Sequence, residues 1–538
     1  MNGSMSDDVI AGIVNQLVNA RSKLKDGKFI EAYHDFKVVT QVHPEEPRAW
    51  EGLGQSLEQL GKPNDAVDAY ARSIFFDPKN YTATLHLGNL LIELNENEKA
   101  IPVLSKALDL NPSSVTALSN LAAAYMNLRR FSDAALNFQR ALAHNPKSMP
   151  ALLNLGTCMR ESGKPELAVV VFENALSIDP VSLDAIARLG STLSDMNKTD
   201  AALAVLNKHI EKHPQDAECH QIKALVLLRA GILDDGLREY EWRHYPTSLS
   251  VPARPLNVPS WNGDDINNRT LLIWLEQGIG DELLSLSALR QHLSAPDKQA
   301  IMIECDPRIY SIVSRSFPLV RVIPRQSPPS DETKFADISC PAWTAVRHLK
   351  SDKDISTEPS GYLQAEPATT SSLRSRYEQH ANGRKIIGLS WTSSGRTGNL
   401  KTPPIQNWSQ LLAVDSYFFV SLQYLASADD LLAISEFSGG RFFCDETIDA
   451  ANDLDQVAAQ IAAMDAVITI SNSTAHMAGA LGVPVATVVP SGYGGFWYWF
   501  RERADSPWYP SMRICRQNMP GDWTHAILEA IDWLKRLN

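Results

Sequence analysis

A dipeptide ending in proline returns every 34 residues through the first half of this chain: His43-Pro44, Asp77-Pro78, Asn111-Pro112, Asn145-Pro146, Asp179-Pro180 and His213-Pro214. The same period carries a small residue at Ala20, Gly54, Gly88, Ala122, Gly156, Gly190 and Ala224. A second small column runs Ala32, Ala66, Ala100, Ala134, Ala168, Ala202 and Gly236, and a large residue follows four positions later at Phe36, Tyr70, Leu104, Phe138, Phe172, Leu206 and Tyr240. Repetition at this length predicts a stacked array of helical hairpins. Small residues let two helices approach, large ones are expected to fill the gap between hairpins, and each proline marks the turn into the next unit. A helical array of this kind recognises, so chemistry is to be sought beyond it.

With 538 residues the chain exceeds one core and predicts two or three domains. A net charge of −12 argues against wholesale nucleic-acid binding, which needs a basic face. Six scattered cysteines without a C-x-x-C pair favour neither a zinc knuckle nor a disulfide framework, and fit a reducing cytoplasm. The start MNGSMSDDVIAGIVNQL lacks the basic, apolar pattern of a signal peptide, and no apolar run reaches transmembrane length. The expected location is cytoplasmic.

The expected architecture is α + α/β. Residues 1–245 form the helical array, six full hairpins from about Val9 and a partial seventh, and the proline-rich stretch 246–268 is an ordered linker. Residues 269–375 and 376–538 are then two α/β domains. Buried-strand signals lie at 270–275, 300–304, 385–391, 417–422, 466–470 and 485–489, with helical stretches at 455–464 and 474–481. Residues 324–332 and 351–371 read as surface loops. Strand–helix alternation predicts parallel sheets, whose ligands bind at the carboxyl ends of strands. A cleft between two Rossmann-like domains is the expected active site.

Two strand ends carry candidate chemistry. In Leu275-Glu276-Gln277-Gly278-Ile279-Gly280-Asp281-Glu282, Gly278 and Gly280 allow a tight turn and close approach of a ligand. Asp281 at the helix start can accept a proton from an attacking hydroxyl, and equally fits a helix cap. In Ile470-Ser471-Asn472-Ser473-Thr474-Ala475-His476, a helix N-terminus with hydroxyl and amide side chains favours phosphate. The same residues suit capping, and His476 suits core packing. The segment 491–499 is rich in glycine and aromatic residues. Most of its rings read as core, with Tyr493 the best candidate for ligand contact.

The repeat columns resemble the tetratricopeptide (TPR) repeat. Gln277-Gly278-Ile279-Gly280-Asp281, Ala475-His476-Met477-Ala478-Gly479-Ala480-Leu481-Gly482-Val483-Pro484 and the segment from Asp505 to Arg513 resemble bacterial TPR-containing glycosyltransferases of the flagellin-modifying type. Their catalytic half is similar to the ADP-heptose:lipopolysaccharide heptosyltransferases. The resemblance spans nearly the whole chain and implies a GT-B module, a nucleotide-sugar substrate, no cofactor, no metal and inverting transfer. Carried over by position, Asp281 becomes the base. Ser473, Thr474 and His476 fall at the donor phosphates, Lys401 and Arg396 where the family presents a basic residue to the diphosphate, and Gly278, Gly280, Ser471 and Asn472 elsewhere at the donor. Two departures stand out. Ser471 occupies a position usually acidic, which would ease binding of an anionic sugar. This points to a nonulosonic acid such as pseudaminic acid on CMP. Tyr498 replaces an arginine frequent between the two tryptophans, so a donor contact there is lost.

On the first helices of the repeats, His86, Asn89, Asn120, Asn154, Thr157 and Arg188 lie in register for a groove. Asn120 and Asn154 occupy equivalent positions, resembling the asparagine ladder of eukaryotic O-GlcNAc transferase. Amides pair with peptide backbone whatever its sequence, so the set predicts a protein acceptor. The leading expectation is a protein O-glycosyltransferase acting on Ser/Thr of an acceptor such as flagellin. The alternatives are a heptosyltransferase-like enzyme of surface polysaccharide synthesis, or a TPR scaffold without catalysis.

Overall fold

In the computed structural model, the structure describes residues 7–247, 251–266, 268–294, 301–349, 361–393, 398–492 and 494–537. The chain parts into two compact units, Met1–Leu189 and Gly190–Asn538.

The first unit consists of paired helices, from Asp7–Lys25 and Phe29–Val42 through Met149–Glu161 and Pro165–Ile178. Every alanine of the second small column here, Ala32 to Ala168, is completely buried. Large residues reach across to the next hairpin, as the sequence led us to expect: a methyl added to Gly52 would fall 2.3 Å from the Phe36 ring of the preceding hairpin, and Tyr70 stacks on His86 of the following one. Tyr70, Leu104 and Phe172 also pack inside their own hairpins, on the small residue of the preceding helix. A methyl added to Gly54, Gly88 or Gly156 would fall 2.8, 2.4 or 2.4 Å from Tyr70, Leu104 or Phe172. Asn80 and Ser114 cap the next helix by accepting from the N–H of Ala83 and Ala117. A left-handed residue closes the first helix of successive hairpins at Gly27, Gly61, Asn95, Arg129 and Gly163. Glycine and asparagine suit that conformation; Arg129 does not.

The second unit opens with helices Thr199–Ile210, Ala217–Arg229 and Leu233–Tyr240. Two wholly parallel sheets follow. The first joins β1 (Leu271–Trp274), β2 (Ile301–Cys305), β3 (Arg321–Pro324) and β4 (Ile338–Pro341) in the order β3-β2-β1-β4. The second joins β5 (Lys385–Ser390), β6 (Tyr417–Ser421), β7 (Phe442–Phe443), β8 (Ala466–Ile470), β9 (Val485–Val489) and β10 (Met512–Arg516) in the order β10-β9-β8-β5-β6-β7. Helices Ile279–Ser294 and Ser473–Leu481 follow β1 and β8. The linker region adds to the first sheet: Trp261 donates to the Ser339 carbonyl and Ser339 to that of Pro259, each at 2.8 Å. Position 375/376 falls inside the helix Pro367–Ala381, which also takes the end of the stretch read as a loop.

Candidate functional site

Both sheets reverse direction of winding beside the strands that carry the predicted chemistry. In the first sheet β1 lies between β2 and β4; in the second β5 lies between β6 and β8. Such switch points open a crevice at the carboxyl ends, because the crossovers on either side leave in opposite directions. Here the two ends line one cavity of about 350 Å³, inside the range for small-ligand sites. From the first sheet it receives Ile279, Gly280 and Asp281; from the second, Lys401 and the segment Ser471 to Thr474 with His476.

Asp281 stands in the first turn of the Ile279–Ser294 helix, where the Gly278 N–H approaches its carboxylate at 3.4 Å. Burial lifts its pKa to about 6, with the nearby Glu276 carboxylate adding to the rise and the Gly278 N–H opposing it. Glu276 is itself held by Arg243 through two bonds of 3.0 and 2.7 Å, both side chains being 2% exposed. The turn between them is made by Gln277 at φ 70°, so the left-handed residue is not a glycine. Gly278 is exposed and off the cavity wall. Gly280 is required for space: a methyl there would lie 2.9 Å from the His476 ring.

On the opposite wall, Asn472 caps the Ser473–Leu481 helix and donates to the Ser390 hydroxyl at 2.8 Å, tying β8 to β5. Ser471 accepts the indole N–H of Trp499 at 2.7 Å. Both side chains therefore serve the local structure as well as lining the cavity. Ser473 and Thr474 occupy the first turn, whose N–H groups no intrahelical carbonyl can reach. His476 is 2% exposed and its Nδ1 meets the Tyr509 hydroxyl at 2.9 Å. Burial and the Lys401 cation push its pKa down to about 3, so the ring is neutral. Lys401 is buried, with its ammonium 4.7 Å from the centre of the Phe496 ring. Desolvation lowers its pKa and the Asp281 carboxylate opposes that shift. Trp497, Tyr498 and Trp499 are buried, and Phe496 and Tyr498 also line the cavity. Arg396 and Tyr493 lie outside the described residues.

Arg308, Ser390, Thr392, Gln423 and Tyr424 also line the cavity and were not singled out in the sequence. Gln423 accepts from the N–H groups of Trp391 and Thr392, each at 2.9 Å; it lies two residues beyond the end of β6, and Ser390 is the last residue of β5. The rule that parallel sheets bind at carboxyl ends pointed to both positions. Arg308 had no such signal. A larger cavity of about 960 Å³ beside Arg229 and Arg501 contains none of the predicted site residues; Asp195 and backbone carbonyls hold those two guanidinium groups.

In the first unit, the expected groove residues are half-buried and partly paired with one another. Asn120 donates to Asn89, and Arg188 donates to the Thr157 hydroxyl at 2.6 Å. His86 stacks on Tyr70 and contacts Glu58 at 3.3 Å. Asn154 lies one hairpin beyond Asn120, on Met149–Glu161. Among the described residues, no helix is long and apolar enough to cross a membrane.

Residues 17–81, 119–182 and 159–226 match families described as tetratricopeptide repeat, and 88–128 one described as TPR repeat. The chain contains TPR repeats. Protein FlbA of Caulobacter vibrioides (strain ATCC 19089 / CIP 103742 / CB 15) is 28% identical over 326 residues, 58% of this chain and 54% of that protein. The chain thus spans about half the length of the curated relative it matches. Among solved structures, YrrB, a TPR protein with an unusual peptide-binding site, is 22% identical with a TM-score of 0.33, over 35% of this chain and 98% of that one. A tetratricopeptide repeat protein from Parabacteroides merdae ATCC 43184 is 20% identical with a TM-score of 0.35, over 43% of this chain and 91% of that one.

Proposed function

We propose that the chain is a cytoplasmic protein O-glycosyltransferase of GT-B type, metal-independent and inverting. The TPR helices capture a protein acceptor, and the two parallel sheets hold the nucleotide-sugar. The observation that carries this reading is the meeting of both switch-point strand ends in one cavity, with a carboxylate on one side and a helix N-terminus and lysine on the other. Asp281 takes the proton of a Ser or Thr hydroxyl; that oxygen bonds to the anomeric carbon as the carbon–oxygen bond to phosphate breaks. The departing charge falls to the first turn at Ser473 and Thr474 and to Lys401. The resemblance to flagellin-modifying enzymes favours flagellin as acceptor, and Ser471 in place of an acid favours a CMP-linked nonulosonic sugar. Equilibrium titration with CMP, ADP, GDP and UDP tests the donor. CMP is expected to bind most tightly; a preference for ADP removes the anionic-sugar assignment. In a deletion strain of the native host, flagellin of reduced intact mass supports the acceptor, whereas normal flagellin with a shortened surface glycan favours polysaccharide synthesis.

A further inference from the structure

Two buried repeat columns change character together at the junction between helices Thr199–Ile210 and Ala217–Arg229. Val39, Ser73, Ala107, Ala141 and Ala175 share one column, and its next member is His209. Ala49, Ala83, Ala117, Ala151 and Ala185 share the other, and its next member is Cys219. Columns that otherwise hold only Val, Ser or Ala thus gain an imidazole and a thiol at one place. The cap position between them, filled by Glu46, Asn80, Ser114, Ser148 and Ser182 in the other repeats, is Asp216 here. These positions face each other in the second repeat as well, where Asn80 donates to the Ser73 hydroxyl at 3.1 Å. His209 Nε2 lies 2.7 Å from Asp216 Oδ2, and one ligand atom each from His209, Asp216 and Cys219 fall within 4.8 Å of one another. His209 is 8% exposed and Cys219 is completely buried. The carboxylate divides its work. Its Oδ1 accepts from the N–H groups of Glu218 and Cys219 at 3.1 and 3.2 Å, which leaves Oδ2 to His209. None of the three lines the cavity that holds Asp281.

We propose that His209, Asp216 and Cys219 bind a zinc ion that clips the end of the Thr199–Ile210 helix to the start of Ala217–Arg229. A nitrogen, an oxygen and a sulfur within one such span suit Zn²⁺, which accepts all three donors; Mg²⁺ and Ca²⁺ take oxygen and reject the sulfur. To seat the ion, the His209–Asp216 contact opens from 2.7 Å to roughly 3.3 Å, the separation of two ligands each about 2.0 Å from a tetrahedral centre. The metal then replaces the proton between Nε2 and Oδ2. The neutral ring keeps its one proton on Nδ1, and the thiol releases its own to the solvent. Burial pushes the thiol pKa up to about 12, so it ionises only against the metal. Because Oδ1 holds the helix and Oδ2 the ion, binding leaves the cap in place. His213, one turn beyond His209 with its ring stacked at 4.6 Å, or a water molecule completes the four ligands. The site is structural and stands independently of the sugar-transfer reading.

Zinc titration of the tag-free full chain by calorimetry, after EDTA treatment and desalting, tests the proposal. One equivalent is expected to bind and to raise the melting temperature. Cobalt(II) in its place should give a thiolate charge-transfer band and the intense visible absorption of four-coordination. Alanine already stands at the same column positions in Ala175 and Ala185, so His209→Ala and Cys219→Ala are both expected to fold. Both should lose the equivalent of zinc, its effect on melting and the charge-transfer band. Asp216→Asn keeps a cap and should weaken zinc binding by more than about tenfold, the effect of losing even an outer-shell partner. No zinc binding by wild type, a cobalt complex without the thiolate band, or equal binding by both alanine variants overturns the proposal. Zinc that stays on both variants and leaves with Cys444→Ala, the exposed thiol, overturns it too. The three residues would then be a hydrogen-bonded helix cap beside a buried thiol.

Discussion

Asp281 is a carboxylate placed where its charged form is disfavoured, and this has two consequences of opposite sign. As a base it works only when ionised, so kcat/KM is expected to fall as pH drops through about 6. Asp281→Asn should lower kcat by about 10²- to 10⁴-fold and abolish that acid limb. The folded-state pKa lies above the unfolded value, so the ionised carboxylate destabilises the fold above that range and costs nothing once protonated. Thermal melts should therefore find Asp281→Asn more stable than wild type at pH 8, with the gain vanishing toward pH 4. Equal gains at both would mean that charge is not the cause. Arg129 offers a second test at this scale. It adopts φ 57° where neighbouring repeats use glycine or asparagine, so Arg129→Gly should stabilise the chain by up to about 1 kcal/mol in urea unfolding. Residue identity at the site was legible in part. Asp281 and the 471–476 segment stood out by their place at strand ends, whereas the burial of Lys401 did not, because it depends on Phe496 folding against it. The turn at Gln277 was obscured by the glycines beside it.

At the scale of elements, the repeat columns were readable because each position makes the same contact in every hairpin. Half of their partners went unread: spacing alone does not say that Tyr70 touches both its own hairpin, at Gly54, and the next, at His86. The structure puts Tyr70, Leu104 and Phe172 on the glycines of their own hairpins, so Gly54→Ala, Gly88→Ala and Gly156→Ala should each cost about 1–3 kcal/mol. Retention of full stability would contradict that packing. Strands β3 and β4 escaped the sequence because their four residues mix polar, proline and apolar side chains, Arg321-Val322-Ile323-Pro324 and Ile338-Ser339-Cys340-Pro341, whereas β1 of equal length is wholly apolar. Strand order was equally hidden, since the switch points beside β1 and β5 come from pairing between distant segments. Behind β1, Arg243 and Glu276 form a pair that neither position announced. Arg243→Ala leaves Glu276 buried and unpaired, and is expected to destabilise the second unit by about 3–5 kcal/mol in denaturant unfolding.

For the whole molecule, labour is divided between the two kinds of structure, and that division can be measured. Alanine at Asn120 and Asn154 should raise KM for a protein acceptor and leave nucleotide affinity unchanged; Lys401→Ala should do the reverse. Changes in both constants from either set would contradict separate roles. The central claim is that the cavity between the sheets transfers sugar to protein. Intact-mass spectrometry of purified flagellin, incubated with the chain and a CMP-linked nonulosonic acid, tests it most directly. A mass increase of one or more sugar residues is expected with wild type and none with Asp281→Asn. An unmodified acceptor with every nucleotide-sugar, or an equal increase with the variant, would contradict it.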